Sequence, residues 1–443
     1  APEPVEVLIS RAAGAVASEA RAMMGGTYGR RIVVLAGRGN NGNDGRVAAE
    51  ILSRSGVRAT VFDVGEVPDE LPPCDLVLDA AFGTGFRGTW EPPALGGAPV
   101  LAVDIPSGIS GLTGQACGSP WRAVRTVTFA ALKPGLLQGD GPDFAGEVVL
   151  ADIGLDTSSA RVHLVEDADV AAWVPARRRD DHKWRHAVWV VAGSPGMEGA
   201  GWLCAHSAGR GGAGYVRASS PGVERPDAPR EAVGFAVPET GWGDSVLRDA
   251  SRFGAVVCGP GLGRGTGLRE DLESVVAAGA PVVLDADALR AVGTKPLGVD
   301  GDGAAPSGMA AHRAVVMTPH DGEYESLVGH PPGEDRVEAA REAAELHRCV
   351  VLLKGPTTVV ADPSGEALVV HSGDSRLATA GSGDVLSGLV GAHLAAGAEP
   401  LRAAAAAAHL HGIAGRLAGE YGVLAGDIAD MLGDARSMLA DPG

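Results

Sequence analysis

The sequence predicts two α/β domains, each built on a largely parallel, doubly wound β-sheet. Short apolar runs alternate with glycine-rich turns and helical stretches, which is the strand–helix–strand order of such a sheet. The chain has 443 residues, too many for one hydrophobic core of ordinary size. The alternation lapses in a charged, proline-punctuated segment around residues 170–183 and then restarts. We therefore expect one domain over residues 1–172 and a second over residues 173–443.

Five runs in the first domain predict buried strands, because strands covered on both faces are continuously apolar. Residues 45–56, between the first two runs, have helical spacing and end in glycine. In a doubly wound sheet the functional side chains lie at the carboxyl ends of the strands. The predicted strands cover residues 30–37, 58–64, 74–83, 98–108 and 123–131.

Five further apolar runs in the second domain each end in glycine or in ionisable residues, as a ligand-binding edge requires. Alanine-rich helical segments follow them, and the six consecutive alanines at 403–408 predict a close-packed helix face. The apolar runs cover residues 186–194, 254–263, 281–289, 314–323 and 350–363.

Composition limits the class of partner. The formal net charge of −18 argues against nucleic acid or an anionic membrane, because both bind concentrated positive charge. Anionic small molecules stay compatible, since backbone N–H groups can form a local anion site. The five cysteines are scattered and form no CxxC pair, so we expect a reduced protein in the cytoplasm. No leader or long apolar run predicts secretion or a membrane span, and because the chain begins at Ala1 we expect the extreme N-terminus to be missing.

A GxGxxG pattern runs from Gly37 to Gly42. In such a pattern a strand delivers backbone N–H groups to a helix N-terminus that binds phosphate. Asp63 ends the second predicted strand, where dinucleotide-binding domains carry a carboxylate for the ribose. An NAD-dependent dehydrogenase is therefore one interpretation. The turn also holds more polar side chains than a pyrophosphate needs, although Asn and Asp are common in tight turns; these residues are Asn40, Asn41, Asn43 and Asp44.

Oxygen-bearing side chains follow two neighbouring strands of the same domain. Asp79 ends one predicted strand ahead of the glycine-rich stretch at 83–85, and Asp104 and Ser107 follow the next strand. Amide, carboxylate and hydroxyl oxygens at adjacent strand ends suit a hard cation rather than zinc. No set of Cys and His ligands competes with this interpretation.

The stretches "GRGNNGNDG", "DAAFGTGFRG", "VDIPSGISGLTG" and "TVTFAALKPGLL" resemble the YjeF N-terminal domain, the NAD(P)HX epimerase family, over about residues 5–155. The resemblance implies a Rossmann-like three-layer fold and a potassium ion held by Asn41, Asp79 and Ser107. The sequence departs from the family at Asn43, where glycine is common. The resemblance also implies that the damaged dinucleotide contacts Asn40, Asn41, Gly42, Asn43, Asp44, Gly83, Thr84, Gly85, Phe86, Arg87, Gly88, Thr89 and Asp104.

The stretch "LATAGSGDVLSGLVGAHL" is the most specific motif of the second domain. Gly381, Gly383 and Asp384 open a predicted helix there, so backbone amides and the helix dipole face any bound anion. An aspartate at this point can accept a proton from a hydroxyl that attacks a phosphoryl group. Helix capping by Asp384 is the alternative, but capping does not need both glycines. No GxxxxGK[ST] is present, so a P-loop enzyme is not expected.

Other strand ends carry Lys354 in "LKGPTTVV", suited to phosphate contact, and His320 in "TPHDGE", equally suited to a turn or to a ligand. With "HK" at 182–183 and "GSPGMEGAG" at 193–201, these motifs resemble the NAD(P)HX dehydratase domain of the ribokinase-like superfamily over about residues 176–435. The resemblance implies a ribokinase-like α/β fold with Asp384 as the catalytic residue. It implies that the hydrated dinucleotide contacts Ala200, Gly261, His320 and Asp384. It also implies that the adenine nucleotide contacts Lys354, Gly355, Pro356, Thr357, Thr358 and Gly383.

The chain thus resembles an NAD(P)HX epimerase domain followed by an NAD(P)HX dehydratase domain. This order matches the fused bacterial form of an enzyme that repairs hydrated NAD(P)H. They imply that the dinucleotide is the substrate, with NADHX and NADPHX epimerised at C6 by the first domain in the presence of K⁺. The second domain would dehydrate the S epimer with ADP or ATP and Mg²⁺, releasing phosphate. A homo-oligomer is expected on analogy alone.

Three alternatives stay open. The second domain alone would allow a ribokinase-like kinase of a vitamin or sugar alcohol, joined to a non-catalytic dinucleotide-binding domain. An NAD dehydrogenase is disfavoured by the asparagine cluster. The first domain could also bind the hydrated dinucleotide without epimerising it, leaving a dehydratase alone.

Overall fold

The computed structural model describes residues 3–298 and 314–440. Contacts divide the chain into two compact units, residues 1–160 (unit 1) and residues 161–443 (unit 2). Each unit has its own β-sheet and its own hydrophobic core.

Unit 1 is a Rossmann-like sheet of six parallel strands in the order β2-β1-β3-β4-β5-β6. Its strands are β1 (Arg31–Ala36), β2 (Arg58–Asp63), β3 (Leu76–Ala80), β4 (Val100–Val103), β5 (Arg125–Phe129) and β6 (Glu147–Ala151). Its helices are α1 (Val5–Met24), α2 (Asn40–Arg54) and α3 (Gly141–Ala145). The direction in which successive strands are added reverses between β1 and β3, and a crevice forms at such a switch point in open α/β sheets.

The two faces of this sheet are covered differently. Helices α1 and α2 pack on one face around Val16, Leu52 and Leu78. Irregular segments cover the other face, where Trp90 and Trp121 pack against apolar side chains of the strands. The five predicted strands are confirmed, and β6, an edge strand with partly exposed side chains, was not predicted.

Helix α2 begins at Asn40, five residues earlier than the sequence predicted. Gly39 precedes it in an extended conformation, with φ −88° and ψ −174°. The N–H group of Asn43 donates to the carbonyl oxygen of Gly39 at 3.1 Å, which closes the first helical turn. The asparagine cluster therefore lies in the first turn of a helix, and the interpretation of this segment as a preceding loop was wrong.

The described residues of unit 2 contain ten strands in the order β10-β9-β8-β11-β12-β13-β14-β15-β16-β7. The strands are β7 (Val162–Leu164), β8 (Ala187–Val191), β9 (Tyr215–Ser219), β10 (Val233–Gly234), β11 (Ala255–Cys258), β12 (Val282–Leu284), β13 (Val315–Met317), β14 (Val350–Leu353), β15 (Thr358–Ala361) and β16 (Ala367–Val370). All neighbouring pairs are parallel except β14–β15 and β15–β16. The predicted single run at 350–363 is therefore two antiparallel strands, β14 and β15, joined by a turn.

The helices of unit 2 are α4 (Asp167–Trp173), α5 (Glu198–Arg210), α6 (Gly243–Asp249), α7 (Leu268–Ala277), α8 (Asp287–Val292), α9 (Asp321–Val328), α10 (Arg336–His347), α11 (Ser382–Ala395), α12 (Pro400–Leu417) and α13 (Ala425–Ala440). Helices α4, α5, α11, α12 and α13 share one hydrophobic core with alternate residues of the sheet. All six alanines at 403–408 are buried in that core, which confirms the predicted close packing.

The division between the units lies before the boundary that the sequence suggested at 172–173. Strand β7 pairs with β16, and Val170 on α4 is fully buried in the core of unit 2. A local sequence pattern does not reveal a strand that pairs some 200 positions further along the chain, because pairing of that kind is not local.

Two further findings concern the chain as a whole. All five cysteines are unpaired, and Cys204, Cys258 and Cys349 are buried. Within residues 3–298 and 314–440, no helix combines the length and the apolar character that crossing a bilayer requires.

The first turn of α2 depends on glycine at position 42. A β-carbon built on Gly42 would lie 2.0 Å from the carbonyl oxygen of Gly37, so Gly42→Ala forces backbone apart. We expect this variant to lose about 1–3 kcal/mol of unfolding free energy, measured by urea denaturation. The control is Gly14→Ala on α1, where an added β-carbon meets no atom within 4 Å and should stabilise the helix by about 0.5–1 kcal/mol. Equal stabilisation of the protein by Gly42→Ala and Gly14→Ala would contradict the close approach of Gly42 to the backbone of Gly37.

Candidate functional site

A cavity of about 470 Å³ lies in unit 1 at the carboxyl ends of β1, β3, β4 and β5. This is the switch point of the sheet, where the topology predicts a crevice. Most of the predicted dinucleotide contacts line the cavity, namely Asn40, Asn41, Asp44, Gly83, Thr84, Gly85, Phe86 and Asp104. The remaining predicted contacts, Gly42, Asn43, Arg87, Gly88 and Thr89, lie on the same two segments but do not line it.

The N-terminus of α2 forms one wall of this cavity. No side chain of the described residues caps the helix there, so its first backbone N–H groups are available to a ligand. Gly39, Asn40 and Asn41 all line the cavity. Backbone amides and the helix dipole together make this wall suited to an anionic group such as a phosphate.

Two of the three predicted potassium ligands, Asp79 and Ser107, contact each other at the ends of neighbouring strands. Asp79 is 1% exposed, and its Oδ2 accepts the N–H of Ser107 at 2.8 Å. Burial raises the pKa of Asp79, while hydrogen bonds from Ser107 oppose the rise. No cationic side chain pairs with Asp79 among the described residues. The Oγ of Ser107 in turn accepts the N–H of Phe82 at 2.8 Å.

Asn41 is the third predicted potassium ligand. Its Oδ1 and Nδ2 atoms are both buried, and neither has a hydrogen-bond partner in the part of the chain that the structure describes. It packs beside the loop after β3, since a β-carbon built on Gly83 would lie 3.5 Å from the β-carbon of Asn41. An unpartnered amide oxygen beside the loop that follows β3, together with the buried carboxylate at the end of β3, offers oxygen donors that fit a hard cation.

Asp104 follows β4 in a left-handed conformation, with φ 68°, which non-glycine residues rarely adopt. Its Oδ1 accepts a hydrogen bond from the ammonium of Lys133. Lys133 also donates to the Oγ1 of Thr128 and to the carbonyl oxygen of Phe129, both at 2.9 Å. Lys133 was not among the predicted site residues, although it lies in the quoted stretch "TVTFAALKPGLL", because a single lysine carries no spacing signal.

Asp44 faces the same cavity from the second turn of α2 and is 7% exposed. Burial, and next the negative charge of Asp104, raise the pKa of Asp44 to about 7. Two carboxyl groups in one cavity, one of them titrating near neutral pH, can act as a proton donor and a proton acceptor.

Asp63, the candidate ribose carboxylate, forms an ion pair with Arg46 of α2. The guanidinium of Arg46 also donates to the carbonyl oxygen of Gly37 at 2.8 Å. The carboxylate that a dinucleotide cofactor would use is thus already held by the protein itself. This arrangement counts further against the dehydrogenase interpretation.

In unit 2 the direction in which successive strands are added reverses between β8 and β11. A hydrogen bond links the loops that follow these two strands. Gly193 donates its N–H to the carbonyl oxygen of Pro260 at 2.7 Å. Gly261 has φ 62°, and a β-carbon built on it would lie 3.0 Å from the β-carbon of Ala200. The structure therefore places Ala200 and Gly261, two predicted substrate contacts, side by side at a switch point.

Lys354 lies at the centre of a charged cluster in unit 2. Its ammonium donates to Asp285 Oδ1 at 2.8 Å and lies 3.5 Å from Glu323 Oε2. Ser387 on α11 donates to the other oxygen of Asp285 at 2.6 Å. Burial alone would lower the pKa of Lys354, but the carboxylates of Asp285 and Glu323 outweigh it and raise the pKa. Lys354 is thus a fixed cation.

Asp384 lies in the first turn of α11, beyond Gly381, which has φ 88°. Burial, and next the negative charge of Asp285, raise the pKa of Asp384 to about 7, while Lys354 opposes the rise. A β-carbon built on Gly383 would lie 3.5 Å from the Nζ atom of Lys354, so no side chain separates the lysine from the helix N-terminus. The predicted base Asp384, the ammonium of Lys354 and the backbone amides at the start of α11 therefore lie close together.

The other predicted nucleotide and substrate contacts fall nearby. Gly355, Pro356 and Thr357 form the turn between β14 and β15, and Thr358 begins β15. His320 caps α9, because its Nδ1 atom accepts the N–H groups of Gly322 and Glu323 at 3.0 and 3.3 Å. This capping agrees with the interpretation of His320 as a turn residue. Contact of His320 with the substrate stays a prediction.

His411 on α12 is a second residue that the sequence did not indicate. It is 4% exposed, and its Nε2 atom lies 3.4 Å from the Oγ of Ser382 at the start of α11. Burial, and next the charge of Lys354, lower the pKa of His411 to about 4, so the ring is neutral at pH 7. The roles of Ser387 and His411 could not be predicted, because they depend on partners far along the chain, although Ser387 lies in the quoted stretch "LATAGSGDVLSGLVGAHL".

Comparison with known proteins finds matches over both units. The NAD(P)H-hydrate dehydratase family matches residues 188–436, and the YjeF-related protein N-terminus family matches residues 5–70 and 63–135. The chain is 37% identical to the bifunctional NAD(P)H-hydrate repair enzyme Nnr of Mycobacterium tuberculosis (strain CDC 1551 / Oshkosh), over 91% of this chain and 87% of that protein. It is 36% identical to the protein of the same name from Mycobacterium leprae (strain TN), over 90% of this chain and 87% of that protein.

A solved structure matches unit 2. It is the ADP/ATP-dependent NAD(P)H-hydrate dehydratase of Bacillus subtilis, co-crystallised with ATP and Mg²⁺. The match has a TM-score of 0.52 and 26% sequence identity, and it covers 63% of this chain and 100% of that one. A ribokinase-like superfamily protein of Enterococcus faecalis matches with a TM-score of 0.54 at 20% identity, which shows the ribokinase-like fold.

The raised pKa of Asp44 depends in part on Asp104. We expect Asp104→Asn to lower the pKa of Asp44 from about 7, because a repelling charge is removed, while burial still keeps it above the ordinary value. Carboxyl ¹³C NMR titration measures this, with the Asp44 resonance assigned by its loss in Asp44→Asn. The control Asp63→Asn should leave the titration unchanged. An Asp44 midpoint that is the same in Asp104→Asn and in the wild type would contradict the coupling of the two carboxyl groups.

Proposed function

The chain belongs to the family of bifunctional NAD(P)H-hydrate repair enzymes, and we propose on that basis that it restores hydrated NAD(P)H through two separate active sites. Water added across the C5–C6 bond of the nicotinamide ring gives two epimers at C6. Unit 1 interconverts the R and S epimers, and unit 2 dehydrates the S epimer. The observation that carries this assignment is one carboxyl group per unit close to a helix N-terminus that no side chain of the described residues caps, Asp44 on α2 and Asp384 on α11. Burial raises the pKa of each group to about 7, which agrees with a role in proton transfer.

Dehydration in unit 2 begins with activation of the C6 hydroxyl, because hydroxide is a poor leaving group and phosphate a good one. Asp384 accepts the hydroxyl proton as the oxygen attacks the terminal phosphoryl group of ADP or ATP, which leaves AMP or ADP. The C6–O bond then breaks, phosphate departs with the bonding electrons, and loss of a C5 proton restores the C5–C6 double bond. Ala200 and Gly261, which lie side by side, contact the hydrated dinucleotide in this proposal.

Phosphoryl transfer needs compensation of negative charge. Lys354, fixed by Asp285 and Glu323, supplies a positive charge beside Gly383. The free amides at the start of α11 supply further donors, and Mg²⁺ bound with the nucleotide neutralises the phosphates. The turn at 354–358 holds the nucleotide, as the resemblance implied.

In unit 1 the dinucleotide lies in the cavity of about 470 Å³, with its phosphates at the N-terminus of α2 and its hydrated ring near Asp104. Asn41, Asp79 and Ser107 would hold potassium. The unpartnered amide of Asn41 and the burial of Asp79, which has no cationic side chain beside it among the described residues, support this assignment. The ion would supply a positive charge that offsets the carboxylate of Asp79.

The unpaired cysteines support a reducing compartment, and we place the enzyme in the cytoplasm. The epimerase assignment covers residues 1–172 as the sequence suggested, or residues 1–160 as contacts divide the chain.

Asp384→Asn removes the proton acceptor of unit 2 and leaves unit 1 intact. We expect dehydration of the S epimer to fall by about 10²–10⁴, while R–S exchange followed by NMR is unchanged. The control Asp427→Asn alters an aspartate in the first turn of α13 and should leave both activities unchanged. Loss of both activities in Asp384→Asn would contradict two separate sites. A phosphorylated product that persists with wild-type protein would instead indicate a kinase.

A further inference from the structure

Epimerisation at C6 requires a bond to be broken and remade at a carbon that carries both a hydroxyl group and the ring nitrogen N1. Such a centre opens when a base takes the hydroxyl proton and the C6–N1 bond breaks. The electron pair goes to N1, which takes a proton from an acid, and C6 becomes an aldehyde. Attack of N1 on the opposite face of the aldehyde returns both protons and gives the other epimer. This route needs no further reactant, but it does need one acid and one base.

Unit 1 supplies two carboxyl groups to its cavity, Asp44 and Asp104. The two oxygens of Asp104 have different surroundings. Oδ1 is held by Lys133 and lies 3.4 Å from the Oγ1 of Thr128. Oδ2 is on the side of the cavity, since a β-carbon built on the cavity-lining Gly83 would lie 3.9 Å from it. The carboxylate is therefore anchored by one oxygen and presents the other.

Lys133 is itself fixed. Its ammonium has three N–H donors, and Asp104, Thr128 and Phe129 supply three acceptors. The side chains of Lys133 and Asp104 are only 20% and 17% exposed. A fully engaged, half-buried ammonium cannot easily turn toward the substrate. It can fix the orientation of Asp104 and compensate the charge that Asp104 places near Asp44.

We propose that Lys133 is a positioning residue for epimerisation, which holds Asp104 so that Oδ2 takes the C6 hydroxyl proton while Asp44 donates a proton to N1. The proposal rests on the epimerase function assigned to unit 1. Asp104 is the base and Asp44 the acid in ring opening, and the two exchange roles in ring closure. The raised pKa of Asp44 agrees with its role, because a group that titrates near neutral pH is present in both forms.

The experiment measures R–S exchange of NADHX by NMR without nucleotide, so that dehydration cannot proceed. Lys133→Met should lower kcat for exchange by about 100-fold with KM within about threefold, because Asp104 loses its orientation but the cavity remains. Lys133→Arg keeps the charge and a donor to Oδ1 and should recover at least tenfold of that loss. Dehydration of the S epimer with ADP or ATP in the same preparations should equal that of the wild type.

The matched control is Arg125→Met, at the opposite end of β5, which removes ion pairs with Glu19 and Glu147 away from the cavity. It should leave exchange unchanged. Should Lys133→Met fail to fold by circular dichroism, Lys133→Gln replaces it in the same comparison.

Each other outcome overturns the proposal. Wild-type exchange rates in Lys133→Met would remove Lys133 from the mechanism and leave the epimerase assignment standing. A raised KM with unchanged kcat would make Lys133 a binding residue, and Lys133→Arg no more active than Lys133→Met would exclude positioning through charge. Absence of exchange in the wild-type protein would overturn the epimerase assignment itself, and with it the role of Lys133.

Discussion

The burial of neighbouring carboxyl groups at the carboxyl edge of a parallel sheet is the constraint on which both sites depend. Taking a carboxylate out of water is costly unless a cation or several hydrogen bonds compensate it. In unit 1 Lys133 meets this need for Asp104, and in unit 2 Lys354 meets it for Asp285. In each unit a further carboxyl group lies close by, Asp44 or Asp384, and forms no ion pair among the described residues. Burial, and next the charge of the neighbouring carboxylate, raise its pKa to about 7. The same electrostatic arrangement thus yields a proton-transferring group in each site.

The backbone makes this arrangement possible through close approach. Gly42 lets the first turn of α2 touch Gly37, and Gly383 leaves the start of α11 open to Lys354. Helix α2 begins beside the switch point of its sheet, so its amides face the cavity that the strand order creates. A dinucleotide can be held in such a place as a cofactor or as a substrate. In unit 1 the ion pair of Asp63 with Arg46 and the carboxyl pair in the cavity favour a substrate.

Local patterns were enough to predict most of this architecture. Continuous apolar runs marked most of the central strands, but the internal strands β9 and β16 were not predicted. The glycine-rich motifs marked the segments that the structure brings together at each sheet edge. Edge strands such as β6 and β7 escaped prediction, because they are short, partly exposed and paired through distant contacts. The start of α2 was misplaced, since asparagines are more typical of turns than of helices. Lys133 and Ser387 could not be assigned, because their roles depend on partners 29 and 102 residues away.

The central claim is that two separate sites act in sequence on one damaged dinucleotide. It is tested most directly by the recovery of NADH absorbance from a mixture of R- and S-NADHX with ADP, then ATP, in the presence of Mg²⁺ and K⁺. The account predicts recovery of both epimers, faster than uncatalysed epimerisation allows. Recovery that stops at the S fraction would contradict it, because unit 1 would then bind the dinucleotide without epimerising it.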